Sequence, residues 1–276
     1  MKSLFLALAI LCTSNFSLAQ ENLSTAESKL MIQDGVRLWQ KRDVKESLEE
    51  SISKFEHALS GDPKNLEILT YLTRGYFLLG DAHIDDSDQK KIKFDRAREY
   101  GERGLDTNEA YKKRKDKDDA EKAVEELTLR EVEILYWSAA SLGKWAKANG
   151  VFSSLKFKGQ ILASIKRIER LNPKFFYGAV PRYWGSFYAV APGIAGGDMK
   201  KSKKAFDQAI AQAPECLANR VLLAELYWVK QDNKKEFKKE LQLVLASPNG
   251  PKELEPENML EKKKAEKLLE KEDDLF

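Results

Sequence analysis

The sequence predicts an all-α chain, a TPR-like stack of paired antiparallel helices: four to five pairs form a superhelix closed by a C-terminal capping helix. Three observations predict it. Apolar residues recur at three- and four-residue spacing, and no stretch sustains the alternation of a half-buried strand. Short breaks separate the periodic stretches, at Gly61-Asp62-Pro63, Asn172-Pro173, Pro192-Gly193, Gly196-Gly197, Pro214 and Ser247 to Pro251. One pattern also recurs at a distance. Ser51, Phe55, Ala58 and Pro63 stand at the same mutual spacing as Ser202, Phe206, Ala209 and Pro214.

The first nineteen residues read as an export leader rather than as part of the fold. Met1-Lys2-Ser3 is a short basic start, Leu4 to Leu11 is apolar, and Ser17-Leu18-Ala19 sets small residues where a signal peptidase reads. The apolar run is too short to cross a bilayer as a helix. Cleavage is expected after Ala19, leaving residues 20–276 as one helical-repeat domain outside the cytoplasm. Cys12 offers acylation as an alternative. Leu11 precedes it where a small residue is needed, so anchoring at Cys12 is the less favoured outcome. The exported form then holds only Cys216, and packing rather than a disulfide must stabilise it. Cys216 lies among apolar residues near a helix start and reads as a buried, unreactive thiol.

Along the chain, the small-x3-Phe-x2-Ala-x4-Pro pattern closes two of the helix pairs. Trp184-Gly185-x2-Tyr188 opens the second, and Leu223-Ala224-x2-Tyr227 opens a further pair that Pro248 closes. This is the tetratricopeptide pattern, with ~34 residues per unit. Small residues let two helices approach, aromatics fill the space beside them, and Pro stops the second helix because it has no N–H to donate. The repeats are irregular. The unit around Gly75 and Ala97 carries a charged insert from His83 to Lys93. A third unit lies between Tyr136 and Pro173, its register unfixed. Phe237 and Leu241 stand one residue out of frame. Val124, Leu127, Leu135, Ala139 and Leu142 form one loose helical stripe, and Ile161, Leu162, Ile165, Ile168 and Leu171 another. Trp137 and Trp145 fall on one long helix as core residues. The tail from Glu257 to Phe276 reads as a terminal helix with Leu260, Leu268 and Leu269 inward, sealing the last open face.

Composition narrows the function. Forty-seven Lys and Arg nearly balance forty-four Asp and Glu, so no global charge draws the chain to nucleic acid. A chain that is 33% charged is not a multi-span membrane protein. Two His and two Cys leave little material for imidazole or thiolate chemistry. No nucleophile elbow, phosphate loop or His-Glu-x2-His is present, and no catalytic residue, metal or cofactor is expected. His57 lies off the face carrying Phe55 and Ala58. His83 with Asp85, Asp86 and Asp88 lacks the glycine turn and terminal glutamate of a calcium loop, and reads as a solvated insert. Lys112-Lys113-Arg114-Lys115 is followed by Asp116, Asp118 and Asp119, a self-satisfied surface. Lys200, Lys201, Lys203 and Lys204 read as a solvated helix face.

The stretch from Tyr177 to Asp198 is the most informative. Tyr177, Tyr183, Trp184, Phe187 and Tyr188 crowd into twelve residues. Ala191, Pro192, Gly193, Gly196 and Gly197 follow in a loop where the glycines permit positive φ, and Asp198 is placed to cap the next helix. The loop serves as a tight connection, as the lining of a pocket or interface, or as both.

The segments PRYWGSFYAVAPGIAGGDMKKSKKAFDQAI, LANRVLLAELYWVKQDNKKEFKKELQLVL and ENMLEKKKAEKLLEKEDDLF resemble the T component of tripartite ATP-independent periplasmic (TRAP) transporters. LYWSAASLGKWAKANG and LNPKFFYG resemble the same family. The resemblance implies a non-enzymatic periplasmic helical-repeat protein that binds the transporter's solute-binding (P) subunit and self-associates into a homo-oligomer. It also implies an apolar channel through the repeat stack, with hydrophobic or amphipathic organic acids as cargo. Tyr183, Trp184, Phe187, Tyr188 and the Ala191 to Gly197 loop would stand near that channel or its mouth. The rival reading is a general scaffold for envelope protein assembly.

Overall fold

The computed structural model describes residues 25–117 and 119–276. The expected leader, its cleavage point and Cys12 lie outside them. Among the described residues the chain is helical and contains no strand.

Five antiparallel pairs follow one another. α1 (Thr25–Trp39) packs on α2 (Lys45–Gly61), and α3 (Leu66–Leu78) on α4 (Ser87–Leu105). Short helices α5 (Glu109–Lys115) and α6 (Ala120–Ala123) lead to α7 (Val132–Ala148) and α8 (Val151–Leu171). α9 (Ala179–Val190) pairs with α10 (Met199–Gln212), and α11 (Ala218–Leu222), prolonged by a π turn over Leu223–Trp228, pairs with α12 (Lys234–Ala246). α13 (Glu255–Glu270) and α14 (Glu272–Leu275) end the chain. Short polar residues start several of the helices. The side chains of Asn65, Asp86, Asn108 and Asn233 each accept a backbone N–H from the first turn that follows, at 2.8–3.1 Å.

The recurring serine and phenylalanine have a common structural reason. In the first pair Ser51 Oγ donates to the Gly35 carbonyl at 2.8 Å, and a Cβ on Gly35 would fall 2.8 Å from the Phe55 ring. In the fourth pair Ser202 Oγ donates to the Gly185 carbonyl at 2.8 Å, and a Cβ on Gly185 would fall 2.8 Å from Phe206. The buried hydroxyl thus finds its acceptor on the partner helix, and the ring lies where a side chain would otherwise stand.

Two sequence expectations change in the fold. The stripe from Val124 to Leu142 is not one helix: Val124 lies in a 3-10 turn (Val124–Glu126), and a second turn (Leu129–Glu131) precedes α7. All five of its residues are buried in the same core nevertheless. The one-residue offset of Phe237 and Leu241 accompanies the π turn over Leu223–Trp228, whose wider turn takes up one extra residue. Both side chains are buried.

The terminal helix does more than seal an end. Ala265, Leu268 and Leu269 pack against Leu217, Val221 and Phe237 of the last pair. α13 also reaches the start of the stack. Arg42, just past α1, donates Nε–H to Glu257 at 2.8 Å, and Arg74 of α3 donates to the same carboxylate. The Arg74 guanidinium lies over the rings of Trp39, Trp137 and Phe176, with centroids 5.3, 5.0 and 4.7 Å away. Lys264 pairs with Glu225 of the π turn, and Lys263 Nζ donates to the Asp43 carbonyl at 3.2 Å. α13 therefore contacts the first two pairs as well as the last.

Candidate functional site

α9 is held from inside by one buried arginine. Arg182 Nη1 donates to the Tyr177 carbonyl at 3.1 Å and to Asn219 Oδ1 at 2.9 Å, and lies 3.3 Å from Cys216 Sγ. Asn219 in turn donates Nδ2 hydrogens to the Ala209 and Ala213 carbonyls at 3.1 and 3.0 Å. This network ties α9 to the end of α10 and the start of α11. Burial pushes the Cys216 thiol above its ordinary range, so it stays protonated. The sequence offers no signal for this role of Arg182, because its side-chain partners lie more than thirty residues away.

With α9 fixed, its aromatics form two adjoining stripes. Tyr183 and Phe187 stand one helical turn apart, as do Trp184 and Tyr188. Burial and the Tyr136 hydroxyl push the Tyr183 phenol above its ordinary range. Trp184 and Tyr188 stack with centroids 5.8 Å apart and planes 24° apart. That pair forms one wall of a cleft of about 390 Å³ between α8, α9 and α10. Val180, Pro181, Pro173 and Ala205 give it an apolar floor, and Lys166, Lys201, Lys204, Glu169 and Gln208 stand at its rim. Lys201 lies 3.6 Å from Asp198 and 5.8 Å from the Tyr188 ring centroid. Among the described residues no carboxylate lies within ion-pair distance of Lys166 or Lys204. The run from Lys200 to Lys204 is thus not only a solvated face. Lys201 and Lys204 turn to the cleft, while Lys203 pairs with Asp207 at 2.7 Å.

The loop after α9 is a closed turn beside this cleft. The Pro192 carbonyl accepts from Ala195 N at 2.8 Å and Gly197 N at 3.0 Å, and Tyr188 O accepts from Asp198 N at 3.0 Å. Lys158 of α8 donates to the Ala195 carbonyl at 2.8 Å. Of the three glycines only Gly196 takes positive φ, at +100°. Gly197 is required for space: a Cβ there would lie 1.9 Å from the Ala191 carbonyl oxygen. Gly193 meets neither condition. Asp198 Oδ1 accepts from Lys201 N at 3.0 Å as the N-cap of α10. That bond holds its carboxyl below the usual carboxylate range.

The residues singled out in sequence thus fall into three groups. Trp184 and Tyr188 line the cleft, Tyr183 and Phe187 stand on the adjoining stripe of α9, and the loop residues from Ala191 to Gly197 border the cleft without lining it. The remaining candidates stand apart. His57 is exposed, and His83 Nε2 lies 2.9 Å from the Arg42 carbonyl, its imidazole pushed below the ordinary range by burial. Asp86 is spent capping α4. Lys115 bridges Glu102 and Asp106 at 3.1 and 2.6 Å. Among the described residues no group of His, Cys, Asp or Glu is arranged to hold a metal ion. The cleft offers an aromatic wall with lysines above an apolar floor, which is the chemistry of a holding site for an amphipathic anion.

The family model described as the TRAP transporter T-component matches residues 44–276. The chain belongs to that family. A solved structure of a thermophilic TPR protein from Thermus thermophilus shares its fold, with a TM-score of 0.57. That likeness covers 88% of this chain and 98% of the other at 18% identity, and so bears on fold alone. No curated protein matches the chain. The T-component family makes this chain an accessory part of a TRAP transporter, built as a TPR-type all-α superhelix.

Proposed function

We propose that the chain is an exported, non-enzymatic TRAP transporter component that binds the periplasmic solute-binding subunit and holds an amphipathic organic acid for transfer. The export leader ending at Ala19 supports the periplasmic location. Family membership over residues 44–276 is the observation that carries the transporter role. The seat for the acid is the cleft on α9. Its Trp184–Tyr188 wall and Val180–Pro181 floor suit a hydrocarbon or aromatic body, and Lys166 and Lys204 suit a carboxylate. No step of bond making is needed for this role, since holding and release require only differential contact.

Two measurements test the proposal. The purified protein is titrated with straight-chain carboxylates of increasing length, following tryptophan fluorescence. Affinity is expected to rise with chain length and to fall about tenfold in Trp184→Ala and in Lys204→Glu. Equal affinity in both variants removes the cleft from the proposal. Co-purification from envelope extract is expected to recover the solute-binding subunit of a TRAP transporter. Recovery of unrelated assembly factors alone establishes the general TPR scaffold instead.

A further inference from the structure

The turn between α7 and α8 exposes large apolar side chains in succession. Val151, Phe152 and Leu155 stand on the first turns of α8, and Phe152 is 91% exposed. The bond from Lys158 to the Ala195 carbonyl ties the loop that carries the fully exposed Ile194 to the same end of the molecule. The charge carried by this stretch of chain is basic. From Ile134 to Ile168 the chain carries Lys144, Lys147, Lys156, Lys158, Lys166 and Arg167 and no Asp or Glu. Lys144 is neutralised by Asp81, but Lys147 and Lys156 flank the tip exposed. Among the described residues, packing brings carboxylates to α8 only below the tip: Glu121 lies against Gly159, and Glu125 pairs with Arg167 and Arg170.

We propose that this tip is a peripheral contact with an anionic lipid bilayer. Phe152, Val151, Leu155 and Ile194 enter the head-group region while Lys147 and Lys156 meet lipid phosphates. Single exposed apolar residues are ordinary, but several at one protruding end mark a contact surface. The choice of lipid over protein follows from the lysines. Protein interfaces are depleted of lysine, whereas membrane-surface segments combine it with Phe and Leu. Among the described residues no helix is long and apolar enough to cross a membrane, so the contact is with the surface. The inference is independent of the ligand cleft.

The test compares variants of the full chain, purified after export, by co-sedimentation with vesicles. Vesicles of phosphatidylglycerol and phosphatidylethanolamine in equal parts are set against pure phosphatidylcholine. Comparison with the parent chain cancels any contribution of the N-terminal residues. Phe152→Glu is expected to weaken binding to the anionic vesicles more than tenfold, and Lys147→Ala and Lys156→Ala roughly fivefold each. Raising the salt to about 0.5 M is expected to weaken binding by the parent chain. Circular dichroism of Phe152→Glu checks that the exposed substitution leaves the fold intact. Equal vesicle binding by parent and Phe152→Glu overturns the proposal. So does a parent oligomer that Phe152→Glu converts to monomer without changing vesicle binding, which assigns the tip to a second copy of the chain.

Discussion

Glu257 is the residue on which the two ends of the stack meet. Burial alone would push its carboxyl up, but Arg74 and Arg42 outweigh burial and hold it below the usual range. A buried ion cluster of this kind adds little net stability over an apolar replacement, yet removing one member leaves the others uncompensated. Glu257→Ala is therefore expected to lower the unfolding free energy by about 3–5 kcal/mol, measured by urea titration. The pH dependence has a definite sign. A carboxyl with a depressed folded-state value stabilises in full above the unfolded value of about 4.3, and this contribution is lost as pH falls from there through the folded value. The urea midpoint of the parent protein should fall between pH 7 and pH 3 by more than that of Glu257→Gln. Equal slopes would show that the carboxylate is not paired in solution. Glu261, one turn on, has the opposite tendency, since burial pushes its carboxyl up. None of this was legible in sequence, where Glu257 is one of many charged residues in a polar tail and its partners lie about two hundred residues away.

At the scale of the element, the helix pair depends on a glycine facing a phenylalanine across a shared serine bond. The sequence pattern found Ser51 with Phe55 and Ser202 with Phe206, but missed Gly35, because only Gly185 has the large residue before it that completes the motif. Two glycine substitutions should have opposite signs. Gly185→Ala forces its Cβ to 2.8 Å from Phe206 and is expected to destabilise by about 1–3 kcal/mol. Gly143→Ala in α7 meets nothing closer than Ile161 Cδ1 at 3.9 Å, and is expected to stabilise by roughly 0.5–1 kcal/mol through helix propensity. Thermal melts of the two proteins check the pair. A neutral Gly185→Ala would mean that the helices part without penalty. The aromatic run on α9 shows the limit of the same reasoning. Helical spacing separates Tyr183 and Phe187 from Trp184 and Tyr188, but only the placement of α8 and α10 makes one face a cleft.

For the whole molecule, α13 converts an open solenoid into a closed body. Repeat arrays ordinarily transmit stability only between neighbours. Here the contacts of Glu257 with Arg42 and Arg74, and of Lys267 with Asp85 at 3.5 Å, join the last helix to the first two pairs. Ending the chain at residue 253 strips the apolar cover from the fifth pair, takes the carboxylate of Glu257 from buried Arg42, and leaves Arg74 only Glu133 at 3.7 Å. The melting temperature is expected to fall by about 10 °C or more, with a broader transition. An unchanged, equally sharp melt would show that α13 is an appendage and not a closure.

The sequence by itself determined the helical class and the pairing, and it marked Asp198 as a cap. Those follow from local periodicity, from Pro and Asn or Asp at helix ends, and from a pattern repeated along the chain. It also carried the family, whose segments run nearly unbroken to the C-terminus. Only the tertiary structure decided where α13 lies, which lysines turn to a cleft, and which glycine is needed for space. These depend on contacts between residues far apart in the chain, and a one-dimensional pattern does not hold the relative placement of helices that brings them together.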